Sequence, residues 1–309
     1  MVGPMRFSLW PSPDRPFRET VALVQQVERA GWHAAYVADH FMNDAPVGAV
    51  ADGRTYESTA MVTALAASTS TIKLGTLVAS ATYRHPAVMA NWAASVSQLS
   101  EGRLVLGLGA GWQLNEHHRY GIDLGDVKTR IDRFDEYVQV VSGLLGNDVT
   151  TLRGDYYVID QAPRVCDVGA PRTSLLLGVK GERRTMAIAA RHADVWNSWC
   201  TVDELVRRNA VLDQHCSVAG RDPAAIERST QAMVKVTDDA AVARAARESM
   251  GGRPSVIGSA NEVVDVLARY ASAGCDEFIV PTWLFGGPSE IPEALERFEE
   301  EVVGVLSRM

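Results

Sequence analysis

The strongest constraint in this sequence is an alternation, sustained along the chain, between short apolar runs and longer stretches of helical periodicity. A short apolar run bounded by turn residues reads as a buried strand. Apolar residues recurring every three or four positions read as a helix. Arg6–Trp10 predicts a first strand, and Phe17, Val21, Val24 and Val27 predict a helix that ends at Gly31. Ala34–Ala38 predicts a second strand running into Asp39 and His40, followed by a helix over Glu57–Ser68. Ile72–Val78 predicts the third strand. The next helix opens at Pro86, a residue suited to a first turn, with Val88, Trp92, Val96 and Leu99 as its expected buried face. Leu104–Leu108 is an unbroken apolar strand, and Arg130–Leu145 a strongly patterned helix. Residues 147–172 break the rhythm with a small excursion around Gly154–Tyr157, ahead of a fifth strand at Ser174–Gly178. Ala193–Trp196, Gln231–Val236 and Glu277–Pro281 complete the expected strands. Thr201–Glu204 and Ser259–Glu262 read as capping boxes, and a last helix carries Leu295, Phe298, Val302 and Leu306.

Eight strand–helix units in 309 residues match an α/β fold of the (β/α)8, or TIM, barrel type, with the excursion placed before strand 5. A doubly wound open sheet shares the same local grammar and is the competing architecture. No shift of composition divides the chain, so residues 1–309 are expected to form a single barrel domain. A net charge of −8 disfavours a nucleic-acid partner, which would want a basic face. No apolar stretch is long enough to span a membrane. The four cysteines are scattered and no secretion signal is visible, which predicts reduced thiols and a cytoplasmic location.

A barrel of this type builds its active site at the C-terminal ends of the strands. Those ends are rich in Trp and Gly: Trp10; Asp39 and His40; Leu77, Val78 and Ala79; Gly109 to Trp112; Gly178, Val179, Lys180 and Gly181; Trp199; and Trp283. Trp offers flat apolar walls to a ring system, and Gly lets backbone approach a ligand. Trp10, Trp112, Trp199 and Trp283 are therefore expected to line a substrate pocket. Further wall is expected from the loops at Asn43–Thr55, Asn147–Arg172 and Phe285–Ser289. No G-x-S-x-G elbow, H-E-x-x-H helix or Walker A loop occurs. Gly107–Gly111 imitates a dinucleotide fingerprint, but its third glycine falls one position early and no helix is expected to start promptly. Glu116-His117-His118 points its side chains in different directions with no further ligand at metal spacing, so no metal is expected. Gly178–Gly181 before a helix expected over Glu182–His192 suits a phosphate: free N–H groups and the helix dipole favour an anion, with Lys180 nearby. Arg183 and Arg184 read as solvated helix-surface charges.

Several segments together resemble the luciferase-like monooxygenase superfamily, above all its deazaflavin (coenzyme F420)-dependent branch. They are Val37–Phe41, Leu74–Val78, Tyr83–Ala87, Leu99–Arg103, Gly107–Trp112 with Glu116-His117, Tyr120–Ile122, Leu177–Thr185 and Ala189–Asn197. The resemblance implies an oxidoreductase that transfers hydride between coenzyme F420 and an organic small molecule. It implies His40 beside the deazaflavin ring, able to exchange a proton, with Asp39 orienting the site or binding cofactor. It implies a non-prolyl cis peptide at Leu77-Val78 that backs the ring, with Ala79 and Gly109 alongside. Gly178–Gly181 matches the family's phosphate-side motif, and Glu116-His117 its scaffold. A relative that oxidises a sugar phosphate has a catalytic glutamate near Trp112, so the tryptophan here puts that substrate in doubt. The alternatives are an FMN-dependent monooxygenase served by a separate reductase, and a flavin-binding barrel without catalysis. A homodimer through helices near the second and third strands is implied by analogy.

Overall fold

In the computed structural model, which describes residues 5–47, 55–167 and 169–308, the strands close into a parallel barrel. Arg6–Trp10 pairs with Ala34–Val37 on one side and Glu277–Pro281 on the other. From Ala34–Val37 the sheet continues through Lys73–Thr76, Leu104–Gly109, Ser174–Gly178, Val195–Trp199 and Glu227–Gln231 back to Glu277–Pro281. The third stave is broken: Lys73–Thr76 is followed by a cis peptide between Leu77 and Val78, and the stave resumes at Ala79–Ser80. Helices between consecutive staves cover the outside.

The period of two along each strand sorts side chains into two layers. Leu9, Val37, Leu106, Leu177 and Phe278 point outwards against the helices. Ala34, Tyr36, Val105, Leu176 and Ile279 point inwards, with Trp10 and Leu77 above them towards the C-terminal mouth. A polar layer lies inside as well. Glu277 accepts from Ser8 Oγ at 2.5 Å and from Tyr36 OH at 3.0 Å. Burial pushes its carboxyl up, against hydrogen bonds from Ser8, Ser229 and Tyr36.

Most expected elements appear, including both capping boxes, and five details differ. In helix Pro86–Leu99, Val88 and Leu99 are exposed at 61% and 77%, and the buried face is Met89, Ala90, Ala93 and Val96. Small residues let this helix approach the sheet, so its inward face is not its bulkiest. The sixth strand is Val195–Trp199, two residues later than Ala193–Trp196. The seventh is Glu227–Gln231, whose polar sequence hides it. The apolar run Met233–Val236, expected inside the barrel, instead pairs in parallel with Ser255–Gly258 in a separate two-stranded sheet. The helix expected from Glu182 begins at Thr185, and a helix Leu114–Tyr120 starts three residues after Gly111, where none was expected promptly. The excursion before the fifth strand is an antiparallel hairpin, Val149–Arg153 with Val158–Pro163. No helix among the described residues is long and apolar enough to cross a membrane.

Candidate active site

The C-terminal mouth of the barrel opens into a cavity of about 1310 Å³, and its two sides differ in chemistry. On the side of the second to fifth staves the groups are charged and tightly bonded. His40 leaves the end of the second stave and its Nδ1 lies 2.8 Å from Glu116 Oε1 on helix Leu114–Tyr120. Glu116 is fully buried; its other oxygen accepts from the Phe41 amide at 2.8 Å, and Tyr83 OH donates to Oε1. Burial alone would raise the Glu116 carboxyl, but the bonds from His40, Tyr83 and the Phe41 amide hold it below the ordinary carboxylate range. An ionised Glu116 accepts at Nδ1, which makes Nδ1 the protonated nitrogen and leaves His40 Nε2 without a protein partner among the described residues. The Trp112 ring stands edge-on to the His40 ring at 5.5 Å and is itself 57% exposed.

Asp39 sits one residue earlier and turns its carboxylate into the protein. Its oxygens accept from Ser58 Oγ at 2.6 Å, from the Ser80 amide at 2.8 Å, and from both Arg84 terminal nitrogens at 2.7 and 2.9 Å. The Ser80 bond ties the end of the second stave to the resumed third stave, and the bidentate ion pair ties it to the loop ahead of helix Pro86–Leu99. His117, the neighbour of Glu116, bonds Thr82 Oγ1 and the Gln113 carbonyl, and among the described residues no group of His, Cys, Asp and Glu could hold a metal.

Between the two parts of the third stave, the Val78 side chain stands over the glycines of its neighbours. A Cβ on Gly109 would lie 2.5 Å from Val78 Cγ2, and one on Gly178 2.8 Å from Val78 Cγ1. Deeper in the barrel, a Cβ on Gly107 would meet the Thr76 carbonyl oxygen at 1.9 Å. These glycines therefore make room for the bulge. Beyond Gly178, the Val179 amide donates to the Asn197 carbonyl, whereas the amides of Lys180 and Gly181 have no protein acceptor among the described residues. Lys180 is exposed and lines the cavity with Gly181 and Thr185.

The opposite side, from the sixth stave round to the first, has an aromatic wall, with Asp14, Arg15, Glu204 and Arg253 also lining the cavity there. Trp10 and Trp283 lie 5.0 Å apart between ring centres, Trp10 and Trp199 5.9 Å, and Trp199 and Trp283 are stacked at 6.1 Å. The structure thus brings Trp10, Trp199 and Trp283 into one wall and leaves Trp112 across the mouth beside His40. Asn43, Asp44, Gly286 and Pro288 contribute to the rim, while 48–54 of the expected Asn43–Thr55 loop fall outside the described residues. The expected contribution from Asn147–Arg172 is overturned: the hairpin packs on helix Val127–Gly146, where Glu136 accepts from the amides of Asp155, Tyr156 and Tyr157. The turn Gly251–Pro254 lines the cavity in its place. Sequence reasoning missed three contributors: Glu116 as the partner of His40, Gln231 at the end of the true seventh stave, and this turn. The Glu-His pair flagged for its spacing was the available signal for the first.

Comparison with known proteins supplies the family. Residues 1–254 match the model of the luciferase-like monooxygenases. An F420-dependent hydroxymycolic acid dehydrogenase of Mycobacterium tuberculosis is 29% identical over 148 residues, 48% of this chain and 40% of that protein. An F420-dependent glucose-6-phosphate dehydrogenase of Amycolatopsis mediterranei is 33% identical over 146 residues, 47% of this chain and 43% of that protein. The chain therefore spans less than half the length of these two curated relatives. An F420-dependent secondary alcohol dehydrogenase, solved with an F420-acetone adduct, superposes with a TM-score of 0.82 at 18% identity, covering 98% of this chain and 99% of that one. With the family model spanning most of its length, this chain belongs to the luciferase-like monooxygenase family.

Proposed function

We propose that this protein is a coenzyme F420-dependent oxidoreductase that transfers hydride between the deazaflavin and a small organic molecule. The observation that carries the reading is the pairing of His40 with a buried, ionised Glu116 at the edge of the Val78 bulge, in a chain whose curated relatives include F420-dependent dehydrogenases. The residues present fit such a ring. Val78, with Leu77 and Ala79, would back it over Gly109 and Gly178, and His40 Nε2 would face it. The free amides at Lys180 and Gly181, after Gly178-Val179, would hold its phosphate with the Lys180 ammonium beside them. Trp10, Trp199 and Trp283 would take the substrate from the far side, and Trp112 would close the near rim.

When bound, the deazaflavin supplies a carbon that accepts or gives hydride. His40 supplies the matching proton step: Nδ1–H stays with Glu116 while Nε2 takes up the proton released on oxidation, or returns it on reduction. Glu116 orients the imidazole by accepting from Nδ1–H. Asp39, with its oxygens committed to Arg84, Ser58 and Ser80, acts by fixing the strand end that carries His40.

Titration with oxidised F420 and with FMN, followed by quenching of tryptophan fluorescence, tests the reading. Saturable binding of F420 and weaker binding of FMN are expected. Tight FMN binding with substrate-dependent oxygen consumption would select a monooxygenase served by a reductase. F420 binding without turnover on a broad panel of alcohols and carbonyl compounds would select a carrier barrel. The same reading includes a homodimer working in the cytoplasm, which light scattering of the purified chain and cell fractionation test.

A further inference from the structure

The cavity floor holds two carboxamides whose bonding leaves one donor and one acceptor unspent. Asn197 and Gln231, on the neighbouring sixth and seventh staves, are 2% and 3% exposed, and both line the cavity. Asn197 Nδ2 donates to Ser229 Oγ at 3.0 Å and to Gln231 Oε1 at 2.8 Å. Both hydrogens of that amide are used, and the bond to Gln231 Oε1 turns Gln231 Nε2 the other way. Neither Gln231 Nε2 nor Asn197 Oδ1 has a protein partner among the described residues, and neither is a partnerless atom sealed away from solvent. Both atoms therefore reach the cavity. A ligand that left such groups dry and unmatched would bind poorly, so the floor selects for a group that fills them.

The surroundings define the rest of the ligand. Gln231 lies in register with Trp199 on one side and Ile279 on the other. The rings of Trp199 and Trp283 are stacked and Trp10 is tilted against both, so together they present a continuous aromatic wall. The strand ends closest in the barrel order, Trp10, Trp199 and Pro281, include no Lys or Arg. Arg15, Lys180 and Arg253 line the cavity elsewhere, but none of them bonds Asn197 or Gln231 among the described residues, so a phosphate or carboxylate seated on the two amides would lack a bonded counter-charge there.

We propose that Asn197 and Gln231 bind the oxygen of a neutral substrate whose flat apolar body rests on the three tryptophans. A hydroxyl engages both amides, accepting from Gln231 and donating to Asn197; a carbonyl engages Gln231 alone. The catalytic consequence, selection of alcohols and ketones over phosphate esters, rests on the deazaflavin reading, whereas the binding itself needs no cofactor.

Isothermal titration of the full chain, without added cofactor, with 1-phenylethanol, acetophenone, ethylbenzene and phenyl phosphate tests the subsite. Both oxygenated neutral probes should bind about tenfold tighter than ethylbenzene, and phenyl phosphate should bind most weakly. Gln231→Leu should abolish the preference for acetophenone over ethylbenzene while leaving ethylbenzene unchanged. Gln231→Met gives the same readout if the leucine variant does not fold, as judged by circular dichroism. Absence of saturable binding by the oxygenated probes, equal affinity for acetophenone and ethylbenzene, tightest binding of phenyl phosphate, or unaltered discrimination in Gln231→Met would each overturn the proposal. A parallel F420 titration separates the two readings. Discrimination among the probes without F420 binding keeps the subsite and removes the deazaflavin; F420 binding without discrimination does the reverse.

Discussion

The two sides of the barrel mouth solve different physical problems. Between the second and fifth staves the side chains are ionised and cross-bonded, and they hold one another as much as they face the cavity: Asp39 with Arg84, Glu116 with His40 and Tyr83. From the sixth stave round to the first the wall itself is made of rings and amides, which lean on each other through ring contacts and a single chain of amides. The charged Glu204 and Arg253 line the cavity there without bonding to that wall among the described residues. Charges buried in a protein need partners, so the first side is built into the fold and cannot be altered without touching stability. Aromatic walls need only area, so the second side can change its ligand without changing the barrel. This difference assigns the constant part of the chemistry to the first side and the selective part to the second.

The comparison breaks most sharply at Asp39. Asp39→Ala leaves the partly buried Arg84 guanidinium with Glu57 as its remaining carboxylate partner and strips the Ser58 hydroxyl and Ser80 amide of their acceptor, which should cost about 3 kcal/mol of unfolding free energy. Trp199→Ala, at a partly exposed ring of the other side, should cost well under half of that while raising the KM for substrate. Urea unfolding of the two variants checks this; equal losses would abolish the distinction. Gly178→Ala comes next. Its Cβ would lie 2.8 Å from Val78 Cγ1, so the bulge must shift. F420 affinity should fall by about tenfold or more, with a smaller loss of stability, as overpacking of one methyl implies. An unchanged dissociation constant in the fluorescence titration would detach Val78 from cofactor binding.

Acidity probes the same contrast at lower amplitude. Glu116 is held below the ordinary carboxyl value of 4.5 in the folded chain. A group depressed in this way contributes stability above that value and loses the contribution as pH falls through its folded pKa. Glu116→Gln should therefore flatten the decline of melting temperature below about pH 4.5. Gln231→Leu, which changes no titrating group, should leave the slope of that decline as it is. Parallel slopes in all three proteins would remove Glu116 from the ionised network.

How much of this was legible in the sequence follows the same division. The barrel itself was readable, because strands such as Leu104–Gly109 are buried on both faces and their unbroken apolarity marks them. His40 and the Leu77-Val78 bulge were readable through neighbouring motifs. The seventh stave was not. Its inward residues Ser229 and Gln231 belong to the polar interior, Glu227 pairs with Arg6 at the strand's start, and its sequence resembles a loop more than the run Met233–Val236 that follows. That error moved Gln231 from the end of a strand to its start and concealed the floor of the cavity. Glu116 was visible as a residue, but its role depends on helix Leu114–Tyr120 folding back to meet a strand end 76 positions earlier. Long-range pairings of that kind leave no local periodicity. The face of helix Pro86–Leu99 was misjudged for a related reason: proximity to the sheet favours alanine there, and bulk was the wrong guide.

Trp112 is the residue that fits neither side, and it gives the finest test. It stands on the charged side of the mouth, edge-on to His40, yet it is exposed and, among the described residues, its ring carries no hydrogen bond that would tie it to the network. If membership of a side is decided by bonding, Trp112→Phe should behave like a change to the aromatic wall. An edge contact between rings is worth about 0.5–1.5 kcal/mol, and a phenyl ring keeps much of it. Unfolding free energy should then stay within about 0.5 kcal/mol of the wild type, as for most surface substitutions. F420 affinity should also hold, while KM ratios across a substrate series shift by a few-fold. A loss of kcat as large as that of His40→Ala, at constant stability, would place Trp112 with the proton-handling group and move the boundary between the two sides to the far edge of His40.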